Sequence, residues 1–204
     1  MSSRTTAGHS DLSGRIASRL RDLRAERGHS LDALAARSGV SRSAISMIER
    51  GATSPTAVVL ERLATALDVP LGSLFDPPAD RKPPSPFARL TDQPRWRDPQ
   101  SGYLRRSVSP PGWPSPIRIT EVAFPPGAAV SYETAGREVT IHQQVWVLAG
   151  RIEVTVGPLT HALEAGDCLA MRVDQPIAYR NPTAETARYA VVIVAEPAPA
   201  RRTS

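Results

Sequence analysis

The stretch LAARSGVSRSAISMIERG, Leu34 to Gly51, decides how the first third of this chain is read. Two short apolar patterns flank Gly39-Val40-Ser41. In the second pattern Ala44, Ile45 and Ile48 share one side of a helix and predict a buried stripe. Arg42, Ser43, Ser46, Met47 and Arg50 fall at i, i+1, i+4, i+5 and i+8, one continuous face opposite that stripe. It carries two guanidinium groups, two hydroxyls and a thioether, and no acid. Gly39 permits a sharp turn, Ser41 is placed to cap the helix and Gly51 to close it.

The neighbouring residues extend this pattern to five helices. Ile16, Leu20 and Leu23 give a first helix its apolar stripe, and Gly28 ends it. Ser30 caps a second helix with Leu31, Leu34 and Ala35, and Asp32 suits its first turn. Ser54-Pro55 opens a fourth with Val59, Leu60, Leu63, Ala64 and Leu67. Pro70–Phe75 gives a short fifth. A bland reading of the Arg42–Arg50 face is a solvated surface. The preceding helix, the glycine turn and the short capped helix favour a helix-turn-helix. Its second helix enters the major groove of duplex DNA and offers its first residues to base edges.

The totals agree with a nucleic-acid partner without requiring one. Net charge is +5 over 204 residues. Residues 1–50 hold nine arginines against five acids, whereas ten arginines balance ten acids from Asp98 onward. A hydrophobic share of 41% supports packed cores. No run of about 18 apolar residues predicts a membrane span, and the first residues lack a secretion signal. A single cysteine, Cys168, forbids an internal disulfide. The expectation is a cytoplasmic protein with no membrane partner. Cys168 is expected as a small buried hydrophobe.

Composition changes at Asp76–Pro86, DPPADRKPPSP, with five prolines in eleven residues. This predicts a stiff linker and modest repositioning of what it joins. Beyond it come short β-rich runs: GYLRRSVS, IRITEVAF, VTIHQQVWVLAG, RIEVTVG, LTHALEAGD and ARYAVVIVA. They predict an all-β sandwich or barrel. The expected organisation is a disordered start at 1–10, a helical DNA-binding domain at 11–76, a linker at 77–97, a barrel at 98–197 and a frayed tail at 198–204.

Residues 15–76 resemble the phage-repressor-like, XRE/Cro-type helix-turn-helix domain, on LRDLRAERGHSLDALAARSGVSRSAISMIERGATSPTAVVLERLATALDVPLGSLF. The resemblance implies that Arg42, Ser43 and Met47 face bases, with Ser46 on the same stripe. It puts Ser41, Arg50 and the Thr53-Ser54 loop near phosphates. It implies an internal ion pair between Arg24 and Glu49. Arg19 and Arg37 are expected to be solvated or phosphate-facing. Members often carry Gln at the start of the second helix; here Leu31 stands there, so anchoring falls to backbone amides or neighbours.

FPPGAAVSYETAGREVTIHQQVWVLAGRIEVTVG and LEAGDCLAMRVDQPIAYRNPT resemble the two blocks of the cupin fold, a jelly-roll barrel, over about residues 100–196. Catalytic cupins hold a metal with histidines and a glutamate. The matching positions here are Ser131–Ala135, Gln143 and Ile177, which lack that chemistry. His142 alternates to the other face of its strand, and His161 lies on another strand. No metal, cofactor or catalytic residue is expected. If the Gln143 face is interior, Tyr132, Thr134, Gln143, Val145, Ile177 and Tyr179 are candidate ligand-binding residues; core filling is the alternative. Trp146 is expected in packing or a dimer contact.

Together these readings imply a sequence-specific DNA-binding transcriptional regulator, a repressor, acting as a homodimer on a palindromic operator. Its barrel dimerises, senses a small-molecule effector, or both. The alternatives are an antitoxin-type autorepressor with a protein partner, and a cupin enzyme fused to a DNA-binding head.

Overall fold

The computed structural model describes residues 7–76, 84–133 and 139–196. The head contains α1 (Ala7–Glu26), α2 (Leu31–Ser38), α3 (Arg42–Glu49) and α4 (Ala57–Ala66). The expected fifth helix is a 3-10 turn, Leu71–Phe75. Five residues entered through Pro70 and holding Gly72 are too short a run to nucleate an α-helix. Ser30 and Ser41 accept the amide protons of Ala33 and Ala44 and cap α2 and α3. Gly39 lies between them at φ 65°, a left-handed conformation that costs glycine little.

Two helix starts differ from expectation. Helix α4 is capped by Thr56, whose hydroxyl accepts from the Val59 amide, and not by Ser54. Thr56 has the extended backbone of an N-cap, while Pro55 is buried in the approach to the helix. Helix α1 begins at Ala7, inside the stretch expected to be disordered. Residues 1–6, 77–83 and 197–204 lie outside the described residues, and with them most of the proline run, the first six residues of the expected disordered start and the expected frayed tail. The end of the expected linker is a strand, β1 (Arg95–Arg97), because Trp96 is buried between two exposed arginines and pairs with the barrel.

The barrel adds β2 (Leu104–Ser107), β3 (Ile117–Phe124), β4 (Ala129–Tyr132), β5 (Thr140–Ala149), β6 (Arg151–Val156), β7 (Leu159–Glu164), β8 (Cys168–Arg172), β9 (Ile177–Arg180) and β10 (Ala187–Glu196). Six strands form one sheet in the order β1-β2-β3-β10-β5-β8, and four form the other in the order β4-β9-β6-β7. All pairings are antiparallel. Two such sheets face to face are the jelly roll of the cupin fold. Along β5, Ile141, Gln143, Val145 and Val147 are buried, while His142, Gln144 and Trp146 are exposed. The Gln143 face is therefore interior. Asn181 clamps one end of the barrel: its amide donates to the carbonyls of Phe124, Pro125 and Glu185, and its oxygen accepts from Thr183.

The head is seated on the barrel through a buried seam. Asp98 Oδ1 accepts the Ala57 amide at 2.8 Å, so a barrel carboxylate helps to satisfy the start of α4. Arg118 pairs with Asp76 at 2.7 Å. Burial is the main influence on Asp76 and lifts its carboxyl above the ordinary value, against the pull of Arg118. Phe75, Trp96, Tyr103, Phe124, Tyr189, Tyr179 and Tyr132 form an unbroken aromatic chain, with centroid spacings from 5.7 to 6.2 Å. Apolar contacts run without interruption from Ile16 of α1 to Ile193 of β10. No helix among the described residues is long and apolar enough to cross a membrane.

Candidate nucleic-acid interface and barrel cavity

Helix α3 is held from below and bare above. Ile45 and Ile48 are buried against the other helices. Glu49, also buried, accepts two bonds from Arg24: Nε to Oε1 at 2.7 Å and Nη2 to Oε2 at 2.8 Å. That bond raises the Arg24 pKa above its ordinary value, outweighing partial burial. Arg24 Nη1 also donates to the His29 carbonyl, and Arg21 to the Glu49 carbonyl. The expected ion pair thus fixes α3 to α1 and to the loop before α2.

Opposite this anchor, Arg42, Ser43 and Met47 are exposed, Met47 to 42%. Ser46 is half-buried on the same face, and Arg50 donates to its hydroxyl at 2.8 Å. Ser41 sits at the tip, its oxygen 3.2 Å from that of Ser43. Thr53 and Ser54 are exposed on the following loop. Sequence reading missed one neighbour: Asp32 of α2 lies 3.1 Å from Arg42 Nε, with both side chains exposed. No acid sits on α3's outer face, but one sits beside it. Arg19 and Arg37 have structural partners instead of free solvent. Arg19 reaches the Ser73 carbonyl and Glu26, and Arg37 the Ala66 carbonyl and Asp68. Both carbonyls lie near helix ends whose oxygens attract cations.

Inside the barrel lies a cavity of about 70 Å³. Tyr132, Gln143, Ile177 and Tyr179 line it. Val145 is fully buried two residues further along β5 and packs in the core, while Ile141 takes the place on the wall. Thr134 lies outside the described residues. Sequence reading missed Tyr103, Arg105 and Tyr189 on the barrel side, and Glu61, Pro70 and Leu71 from the head. Alternation along GYLRRSVS could have placed Tyr103 and Arg105 together, but an arginine is a poor marker of an inward face.

Gln143 Nε2 donates to Tyr179 Oη at 2.5 Å, and the Tyr103 and Tyr132 hydroxyls lie 3.3 Å apart. Desolvation pushes Tyr103 up to about 12 and raises Tyr132, Tyr179 and Tyr189, so all four are neutral phenols near pH 7. A donating carboxamide, neutral phenols and the apolar Ile177 do not fit a divalent metal. His142 faces outward, 3.7 Å from Glu196. Cys168 is exposed, not buried as expected, because β8 is an edge strand and this residue is on its outer side.

The family described as Helix-turn-helix, HTH_3, matches residues 20–74. The HTH-type transcriptional regulator SutR of Escherichia coli (strain K12) is 28% identical over 178 residues, 85% of this chain and 91% of that protein. The HTH-type transcriptional regulator SinR of Bacillus subtilis (strain 168) is 40% identical over 62 residues, 30% of this chain and 56% of its own length. The crystal structure of an HTH_3 family transcriptional regulator from Vibrio cholerae has a TM-score of 0.70 at 24% identity, covering 91% of this chain and 97% of that one. That last likeness shows the shared fold. With α3 anchored and bared as described, residues 20–74 form a helix-turn-helix domain of the XRE type, the chain as a whole is similar to HTH-type transcriptional regulators, and its second domain has the cupin fold.

Proposed function

We propose that this regulator is a repressor that binds a palindromic operator as a homodimer and responds to a small molecule in its barrel. The observation that carries the DNA reading is the bare face of α3 above buried Ile45 and Ile48. Arg42, Ser43 and Met47 read bases: Arg42 donates to a guanine edge, Ser43 bonds with less selectivity, and Met47 meets a thymine methyl. Ser41, Ser46, Arg50, Thr53 and Ser54 hold the register on phosphates. Asp32 keeps Arg42 extended until a base replaces it.

An eight-residue recognition helix reads only a half-site, so two copies are needed. We assign the second copy to the outer face of the six-stranded sheet. There Ile117 and Ile119 pair with Val194 and Val192 of β10, and Trp146 is 50% exposed next to Ala190. An apolar sheet face of this kind suits a two-fold contact. The barrel works by binding and not by catalysis, which fits a wall of phenols, carboxamide and aliphatic groups.

The test is selection of duplexes from a random pool by the full-length chain, followed by titration of the enriched sequence against a shuffled one. A two-fold symmetric consensus bound at least a hundredfold more tightly is expected. Equal affinity for both duplexes would remove the reading. Trp146→Glu should halve the mass in sedimentation and weaken operator binding in step.

A further inference from the structure

We propose that the barrel cavity is a shared site whose lid is the DNA-binding head, and that it takes a short organic carboxylate bearing a hydrogen-bond donor at its other end. This rests on the effector reading above; it adds the ligand's chemistry and the means by which the head feels it.

The wall is continuous across both domains. Glu61 of α4 and Pro70 and Leu71 after it line the cavity together with Tyr103, Arg105 and Gln143 of the barrel. A molecule seated there touches the head directly. The aromatic chain through Tyr103 and Trp96 to Phe75 supports the same seam from behind.

Arg105 selects the charge. The residue is 7% exposed. Nη2 donates to Thr120 at 2.8 Å, and the guanidinium carbon lies 4.9 Å from the Phe75 ring centroid. Nε has no hydrogen-bond partner among the described residues. Arg105 lines the cavity with a fixed positive charge, and a carboxylate is the planar acceptor that suits a guanidinium. Glu61 is already engaged within the protein, and its negative charge repels a second anion. The anionic end therefore goes to Arg105, and the other end is a hydroxyl or an ammonium. The phenols supply further bonds; Tyr179 accepts from Gln143 and keeps its own proton to donate. The cavity has room for roughly five waters, so the ligand is short.

The test uses the full-length chain with lactate, serine and lactamide, read by thermal unfolding and by hydrogen exchange. Lactate and serine at millimolar concentration should raise the unfolding midpoint and slow amide exchange over residues 57–75. Lactamide should bind at least tenfold more weakly. Arg105→Gln should erase the preference for acids. Leu71→Trp, made on the head, should crowd the cavity and weaken lactate tenfold or more. If Arg105→Gln does not fold, the lactamide comparison and Leu71→Trp decide alone.

Protection confined to the barrel, with 57–75 unchanged, would overturn the shared lid. Equal binding of lactate and lactamide, or binding of none of the three, would overturn the ligand class. Operator affinity is measured in parallel. A chain that binds duplex but ignores the acids sinks this inference alone, and one that takes the acids but ignores duplex sinks the regulator reading alone.

Discussion

The outer face of α3 and the wall of the cavity hold similar groups in opposite settings. On α3, Arg42 and Arg50 each keep one partner at the surface, exposed Asp32 and half-buried Ser46. Such bonds are in exchange with water and contribute little to stability. These groups can be handed to a base or a phosphate at small cost. In the seam and cavity, Arg105, Asp98 and four tyrosines have left water, and each lost hydrogen bond must be replaced from inside. Polarity facing out is therefore available to a partner, whereas polarity facing in either holds the fold or waits for a ligand. Substitutions should separate accordingly, into those that change binding and those that change stability.

The strongest test of that division sits under α3. Glu49→Ala leaves the Arg24 guanidinium, with most of its side chain buried, without its carboxylate. Loss of one partner from such a pair should cost about 3 kcal/mol, read as a lower urea midpoint. Operator binding should fall as well, because α3 loses its anchor. An unchanged midpoint would mean that the pair behaves like a surface contact. Asp98→Ala comes next. It orphans the Ala57 amide and releases Ser101, whose amide and hydroxyl both bond Oδ2. A loss of about 2 kcal/mol is expected, with faster amide exchange at the start of α4. Exchange that speeds only within the barrel would show that the seam does not depend on this carboxylate.

What could be read in the sequence follows the same division. The head was legible because its determinants are local. Ile16, Leu20 and Leu23 recur within two helical turns, and Ser30 and Ser41 cap amides three residues away. The β5 alternation also declared itself over ten residues, but it left open which face is interior, and only the structure turns Gln143 inward. The seam was not legible. Asp98 caps a helix 41 residues upstream, and Arg118 meets Asp76 across 42. No spacing rule links such positions. Arg105 is harder still, since it breaks the expectation that charge faces water. Strands β1, β4, β8 and β9, of three to five residues, were too short to show a period. Among candidate ligand residues, those on β4, β5 and β9 came from one face of the barrel, while Glu61, Pro70 and Leu71 required knowledge of where the head docks.

On the outward side of the comparison, Arg42→Ala should change the unfolding free energy by no more than about 0.5 kcal/mol. It should cost about 1–3 kcal/mol of discrimination at one base pair. Asp32→Ala is the sharper companion. If Asp32 only extends Arg42, affinity for every duplex should rise slightly as a negative charge leaves the groove side, while the preference at that base pair weakens. Selection of duplexes with each variant checks both. A consensus identical to that of the unaltered chain for Arg42→Ala would mean that another element reads the groove.

The smallest effect tests the inward side by pH. Burial raises Tyr103 from 10 to about 12, so the folded state prefers the neutral phenol. The stability this gives is fully present below pH 10 and is lost as pH rises toward 12, because the unfolded chain ionises first. Tyr132, Tyr179 and Tyr189 are raised in the same sense by the same desolvation. The unfolding midpoint should therefore drop steeply between pH 10 and 12. Tyr103→Phe removes one of the four ionisations and also the contact with the Tyr132 hydroxyl. At pH 7 it should cost about 1 kcal/mol. Near pH 11 that deficit should shrink or reverse, because the variant no longer has this phenol to ionise. Parallel pH profiles for the two chains would mean that Tyr103 reaches water in the folded state. The cavity wall would then resemble the face of α3, and the contrast between the two regions would fail at this residue.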